Sequence, residues 1–117
     1  MGDYLAFIDF ETTGLSATRG DRVIEVGIAV LNGGRIVDRY QSLINPKMRI
    51  PSFIEHLTGI TDEMLSSAPT ARKVMSEVYE FIGDMRLVAH NASFDRGFMD
   101  AELSRIRICA HPLSKIG

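Results

Sequence analysis

The 117-residue chain has no tryptophan, four prolines and one cysteine. With Cys109 alone, no intrachain disulfide can form, which fits a reducing compartment. No apolar stretch approaches the roughly 18 residues of a membrane span, so no membrane association is expected. A basic segment followed by an apolar core is also missing at the N-terminus, which argues against a secretory signal and for a cytoplasmic location. Nor is there a surplus of positive charge. Lys and Arg number 13 against 15 Asp and Glu, for a net charge of −2. That is not the footprint of a tight, charge-driven nucleic-acid binder. A protein that meets phosphate through bound cations can still look like this, because its metal site gathers carboxylates and the cations restore positive potential. Internal repeats, low-complexity tracts and linkers are absent too. The 45% of hydrophobic residues suits one modest globular domain over residues 1–117.

The apolar pattern gives the elements. Tyr4 to Phe10 is a near-continuous apolar run, as expected of a central strand covered on both faces. Thr12 to Gly20 reads as a polar loop. Arg22 to Leu31 is a second strand, and Asn32-Gly33-Gly34 is a hairpin turn leading into a return strand from Arg35 to Ile44. Ser52 is placed to cap a short helix over Phe53 to Thr58 that stops at Gly59. Thr61 caps a turn over Asp62 to Ser66. Thr70 caps a helix from Ala71 to Ile82 with Val74, Val78, Phe81 and Ile82 as its apolar stripe and Gly83 as its stop. A short strand, Arg86 to His90, precedes a helix from Ala92 to about Arg107 that turns Phe98, Met99, Leu103 and Ile106 inward. Beyond Ile108 the pattern fades, with Pro112 as a breaker. The order βββ-α-β-α predicts an α/β fold with a mixed sheet.

Two segments carry the chemistry. Asp9-Phe-Glu-Thr-Thr-Gly14 ends the first apolar run, and Asp9 and Glu11, at i and i+2, share one face of a strand. His90-Asn-Ala-Ser-Phe-Asp95 puts a third acid in the first turn of the last helix. Carboxylates converging from two strand ends suit hard divalent cations and phosphate-ester chemistry. Each also has a bland reading: surface acids at a strand end, and an acid that favours a helix start. His56 and His111 are poor site candidates. Glu25 interrupts an apolar strand without an evident role, and Asp38 and Asp100 are spare acids.

These two motifs, with Leu57-Thr-Gly-Ile-Thr61 between them, resemble the DnaQ-like 3′–5′ exonucleases of the DEDD superfamily, most closely the proofreading, epsilon-type exonuclease of bacterial replicative DNA polymerases. The resemblance runs from Tyr4 to Ile106. It implies a ribonuclease-H-like mixed sheet, incomplete at the C-terminus. It also implies a metal-dependent exonuclease that releases 5′-mononucleotides from single-stranded 3′ ends, DNA favoured. Asp9, Glu11 and Asp95 would be the catalytic acids and the ligands of Mg²⁺ or Mn²⁺, two ions per complete site. Thr12, Thr13, Gly14, Leu15, Thr58, His90 and Asn91 match positions near the nucleotide, with Leu15 as a wedge between the last bases. The family's third motif, a His followed five residues on by an Asp, has no match: His111 is followed at that distance by Ile116. The chain is therefore expected to be C-terminally truncated relative to the family. Its other readings are a catalytically inactive module that binds a polymerase or nucleic acid, and an RNA 3′-end exonuclease. Surface left bare by the missing elements would favour a homo-oligomer, and a DNA polymerase subunit is the expected partner.

Overall fold

A computed structural model describes residues 3–106; Arg107, Cys109, His111 and Pro112 lie outside the described residues. Four strands, β1 (Leu5–Thr12), β2 (Val23–Asn32), β3 (Arg35–Leu43) and β4 (Arg86–Val88), form one sheet in the order β3-β2-β1-β4. β1 and β2 are antiparallel, as are β2 and β3, while β4 runs parallel to β1. The mixed sheet with the first strand inside and the fourth beside it is as expected. Gly33 and Gly34 turn the β2–β3 hairpin with φ of 62° and 78°. A two-residue turn with both φ values positive matches the twist of its strands, and glycine adopts it without steric cost.

The helices are α1 (Ser52–Thr58), α2 (Asp62–Ser66), α3 (Ala71–Ile82) and α4 (Ala92–Arg105). Thr61 Oγ1 accepts the Met64 N–H at 3.1 Å, and Thr70 Oγ1 accepts the Lys73 N–H at 3.2 Å, so both predicted caps are present. Ser52 is not a cap. It is the first residue of α1, and Pro51 holds the cap position with φ −61° and ψ 143°. The proline ring presets that φ without any side-chain hydrogen bond. β4 also stops earlier than the apolar run suggests: it pairs with Leu5 to Phe7 alone before the chain turns into α4.

The expectation that β1 is buried on both faces is corrected. Ala6, Ile8 and Phe10 are buried, whereas Phe7 is 40% exposed and Asp9 lies open. Val74, Met75, Val78 and Ile82 of α3, and Phe98, Met99 and Leu103 of α4, pack onto the first face. On the second face Phe7 faces Ala29, Asp9 faces Gly27 and Glu11 faces Glu25. The strand's period of two was hidden because Leu5 and Phe7, on the open side, are apolar as well. α3 buries Met75 where Phe81 was expected; Phe81 is half-buried.

A β-bulge closes the β1–β2 pairing. Glu11 faces Glu25 but Thr12 faces Val23, so Ile24 has no partner on β1. Bulges bend a strand and re-aim side chains, and they recur beside active sites. Here Ile24 is turned into a second apolar cluster with Ile50, Ile54, Ile60 and Leu65. That cluster fastens α1 and α2 to the end of the sheet that carries Glu11.

Met75 is fully buried in the main cluster. Met75→Ala should therefore destabilise the chain by about 2–4 kcal/mol, through lost burial and an unfilled cavity. Urea unfolding measures it, and a loss under about 1 kcal/mol would show that α3 does not pack as described.

Candidate active site

β1 delivers Asp9 and Glu11 to the open face because its other face is committed to the core. Asp95 arrives from α4, one turn after the Asn91 cap, and is 4% exposed. The backbone N–H groups of Phe10 and Asn91 lie close enough to its carboxylate to act on its charge. Asp9 acts on both of the other acids. Burial first, then the charges of Asp9 and Glu25, raise the Glu11 pKa. Burial first, then Asp9, raises that of Asp95, against which the backbone N–H groups and nearby His90 act. Directly opposed like charges on neighbouring strands are destabilising. Glu25, without a role in the sequence reading, is thus placed across from Glu11, and Gln41 Nε2 donates to its carboxylate at 2.8 Å.

A cleft of about 180 Å³ lies beside Glu11. It brings together Glu11, Thr12, Gly14, Leu15 and Thr58 of the predicted residues, and adds Phe53, Leu57 and Phe94, which the sequence reading missed. Leu15, Phe53 and Leu57 are 87%, 62% and 78% exposed. Exposed apolar side chains around a carboxylate are the visible signal of a binding surface. His90 and Asn91 are exposed but do not line this cleft. Thr58 helps close its own helix: its hydroxyl donates to the Ile54 carbonyl at 2.8 Å and accepts from the Ile60 N–H at 3.1 Å.

The loop after β1 is built around Asp21. Thr13 Oγ1 donates to Asp21 Oδ1 at 3.1 Å, and the Ser16 N–H donates to Asp21 Oδ2 at 3.1 Å. Thr13 Oγ1 also accepts the Arg22 N–H at 2.9 Å. Thr13 is 1% exposed, so its hydroxyl faces the loop interior rather than the cleft. Gly14 is required by close approach rather than by a positive φ: a Cβ there would fall 2.5 Å from the Asp21 carboxylate. Behind the loop, Glu102 of α4 is fully buried and paired with Arg22.

The donor set fits a hard cation in kind, since all three acids offer oxygens and the repulsion Asp9 exerts on Glu11 and Asp95 would fall when a cation binds. Among the described residues, however, no group of three or more His, Cys, Asp or Glu side chains is drawn in to ligand spacing. The acids share a field without forming a closed cage.

The fold is that of the ribonuclease-H-like exonucleases. The profile of the exonuclease family RNase_T matches residues 6–116, and the chain belongs to that family. Within it, the chain is of the DnaQ-like DEDD type. It is 50% identical over 97 residues to a PolC-type DNA polymerase III of Bacillus cereus, covering 83% of this chain and 7% of that protein. To the 3′–5′ exonuclease DinG of Bacillus subtilis it is 41% identical over 98 residues, covering 84% and 10%. The chain thus spans a small part of the curated relatives it matches. The nuclease domain of 3′hExo, a DEDDh family member bound to rAMP, superposes with a TM-score of 0.81 at 25% identity, covering 97% of this chain and 64% of that one. A product-bound exonuclease I shares the fold at a TM-score of 0.85 and 13% identity, covering 97% and 28%. Among the described residues, no helix is long and apolar enough to cross a membrane.

The raised acids set a pH dependence. A carboxyl whose pKa is higher in the folded than in the unfolded chain makes the folded state bind more protons, so stability falls as pH rises through and just above the ordinary carboxylate range. Asp9→Asn removes the charge acting on both Glu11 and Asp95. It should stabilise the metal-free chain by about 0.2–1 kcal/mol at neutral pH, the range of solvent-screened charge interactions, and by almost nothing near pH ~3, where its neighbours are protonated. Thermal melts at the two pH values check this, and a destabilised variant at neutral pH would contradict it.

Proposed function

We propose that this domain is a metal-dependent 3′–5′ exonuclease that removes 5′-mononucleotides from single-stranded 3′ ends, with DNA as the favoured substrate. The observation that carries the reading is that Asp9 acts on both Glu11 and Asp95, and that Glu11 lines a cleft whose rim is apolar and exposed. Membership of the exonuclease family supports the reaction class. The PolC-type relatives support DNA, and with it a proofreading role beside a replicative polymerase.

Asp9, Glu11 and Asp95 would hold Mg²⁺ or Mn²⁺. Bound there, two divalent ions would supply Lewis-acid charge to the phosphate and to the groups entering and leaving it. The chain's own part is to bind and orient. Leu15 and Phe53 offer apolar surface to the terminal base, and an aromatic ring stacks on any base because every base has a π-face. The Asp21-centred loop holds Thr12, Gly14 and Leu15 at the cleft.

Digestion of 5′-labelled single-stranded oligonucleotides by the purified chain, with Mg²⁺, Mn²⁺ or a chelator, is the test. Because the family's third motif has no match, the expected result is slow shortening from the 3′ end, abolished by chelator and by Glu11→Gln. A variant that cuts as well as the parent would refute the site, and a parent that binds the oligonucleotide without shortening it would favour a binding module.

A further inference from the structure

We propose that Arg22 and Glu102 form a positioning pair, which fixes where α4 presents Asp95 to the acids of β1. The proposal rests on the reading of Asp9, Glu11 and Asp95 as the metal-holding acids.

Glu102 is 0% exposed and is held from three sides. Arg22 Nε and Nη2 donate to its two oxygens at 3.0 Å each, the Val23 N–H donates at 3.1 Å, and Arg105 Nη1 lies 3.1 Å away. Nothing in the reaction uses this carboxylate. Its stability value does not explain it either, because an apolar pair of similar volume can replace a buried ion pair with little loss. A bidentate fork does what apolar packing cannot: it fixes direction and register rather than mere proximity.

The placing of the pair gives that rigidity a use. Asp95 and Glu102 are two helical turns apart on one face of α4, roughly 10 Å along its axis. Near Asp95, α4 meets β1 through Phe98 and Met99 in the core that also holds Phe10, and Glu102 meets the start of β2 through the Val23 N–H. α4 is therefore pinned to the sheet at two points, and without the second it could pivot about the first. Arg22 is in turn strapped to the end of β1, since its carbonyl accepts the Thr13 N–H at 2.8 Å and its N–H donates to Thr13 Oγ1 at 2.9 Å. A shift of Asp95 relative to Glu11 then requires one of these bonds to break.

The test compares the full chain with Arg22→Met/Glu102→Met, Arg22→Lys and Glu102→Gln, with Glu11→Gln as the control for the site itself. Mn²⁺ affinity, the melting temperature, the Phe10 amide resonance, and kcat and KM on a single-stranded oligonucleotide are measured. The double Met variant should melt near the parent yet bind Mn²⁺ about 10–100-fold more weakly. Its kcat should fall with KM nearly unchanged, and its Phe10 amide should shift. Arg22→Lys, which keeps charge but loses the fork, should lie between the two. Parent-like Mn²⁺ affinity with an unmoved Phe10 amide in the double variant would overturn the proposal. If the double variant fails to fold, Glu102→Gln and Arg22→Lys are judged by the same two readouts. Should the parent itself neither bind Mn²⁺ nor cut, the site reading fails, and the Phe10 amide alone decides whether the pair places Asp95.

Discussion

Asp9 repels both Glu11 and Asp95, and His90 with two backbone N–H groups offsets the effect on Asp95 in part. Left to themselves the acids would move apart. They stay because each sits on an element committed elsewhere. β1 cannot rotate without exposing Ala6, Ile8 and Phe10, which are buried under α3 and α4. α4 cannot slide without moving Phe98, Met99 and Leu103 out of the same core. The bulge at Ile24 gives the far end of the sheet a second apolar anchor, and with it α1 and the cleft wall. The burial of apolar surface thus holds a charge arrangement that is unfavourable by itself, a pattern typical of sites that give up stability for function.

This division of labour is visible along β1. One strand supplies core on one side and acids on the other, and its period of two keeps the roles separate. A single-residue slip in its pairing with β2 would send Asp9 and Glu11 into the core and Ile8 and Phe10 to solvent. The register is therefore set by the hydrophobic pattern, and the acids inherit their position from it. The same holds for the loop that follows, where Asp21 organises Thr13, Gly14 and Ser16 so that Leu15 stands outward.

Much of this was legible in the sequence, for physical reasons. The i, i+2 spacing of Asp9 and Glu11, the acid in the first turn of α4 and the caps Thr61 and Thr70 all act locally, so neighbouring residues reveal them. What was not legible depends on distant contacts. Leu5 and Phe7 gave β1 the look of a strand covered on both sides. Glu102 carries no local signal in the sequence, because its partner Arg22 is 80 positions away. Glu25 gained a meaning once pairing placed it across from Glu11, and Phe53 once α1 had folded beside the cleft. Thr13, matched by motif to the nucleotide, is turned inward by Asp21, a residue the motif does not include.

The central claim is that Asp9, Glu11 and Asp95 act as one divalent-cation site. Anomalous diffraction from crystals of the chain soaked in Mn²⁺ tests it most directly. The account predicts a manganese peak among these three carboxylates, lost in Asp9→Asn crystals soaked alike. A map with no peak there, or with one that persists in the variant, would contradict it.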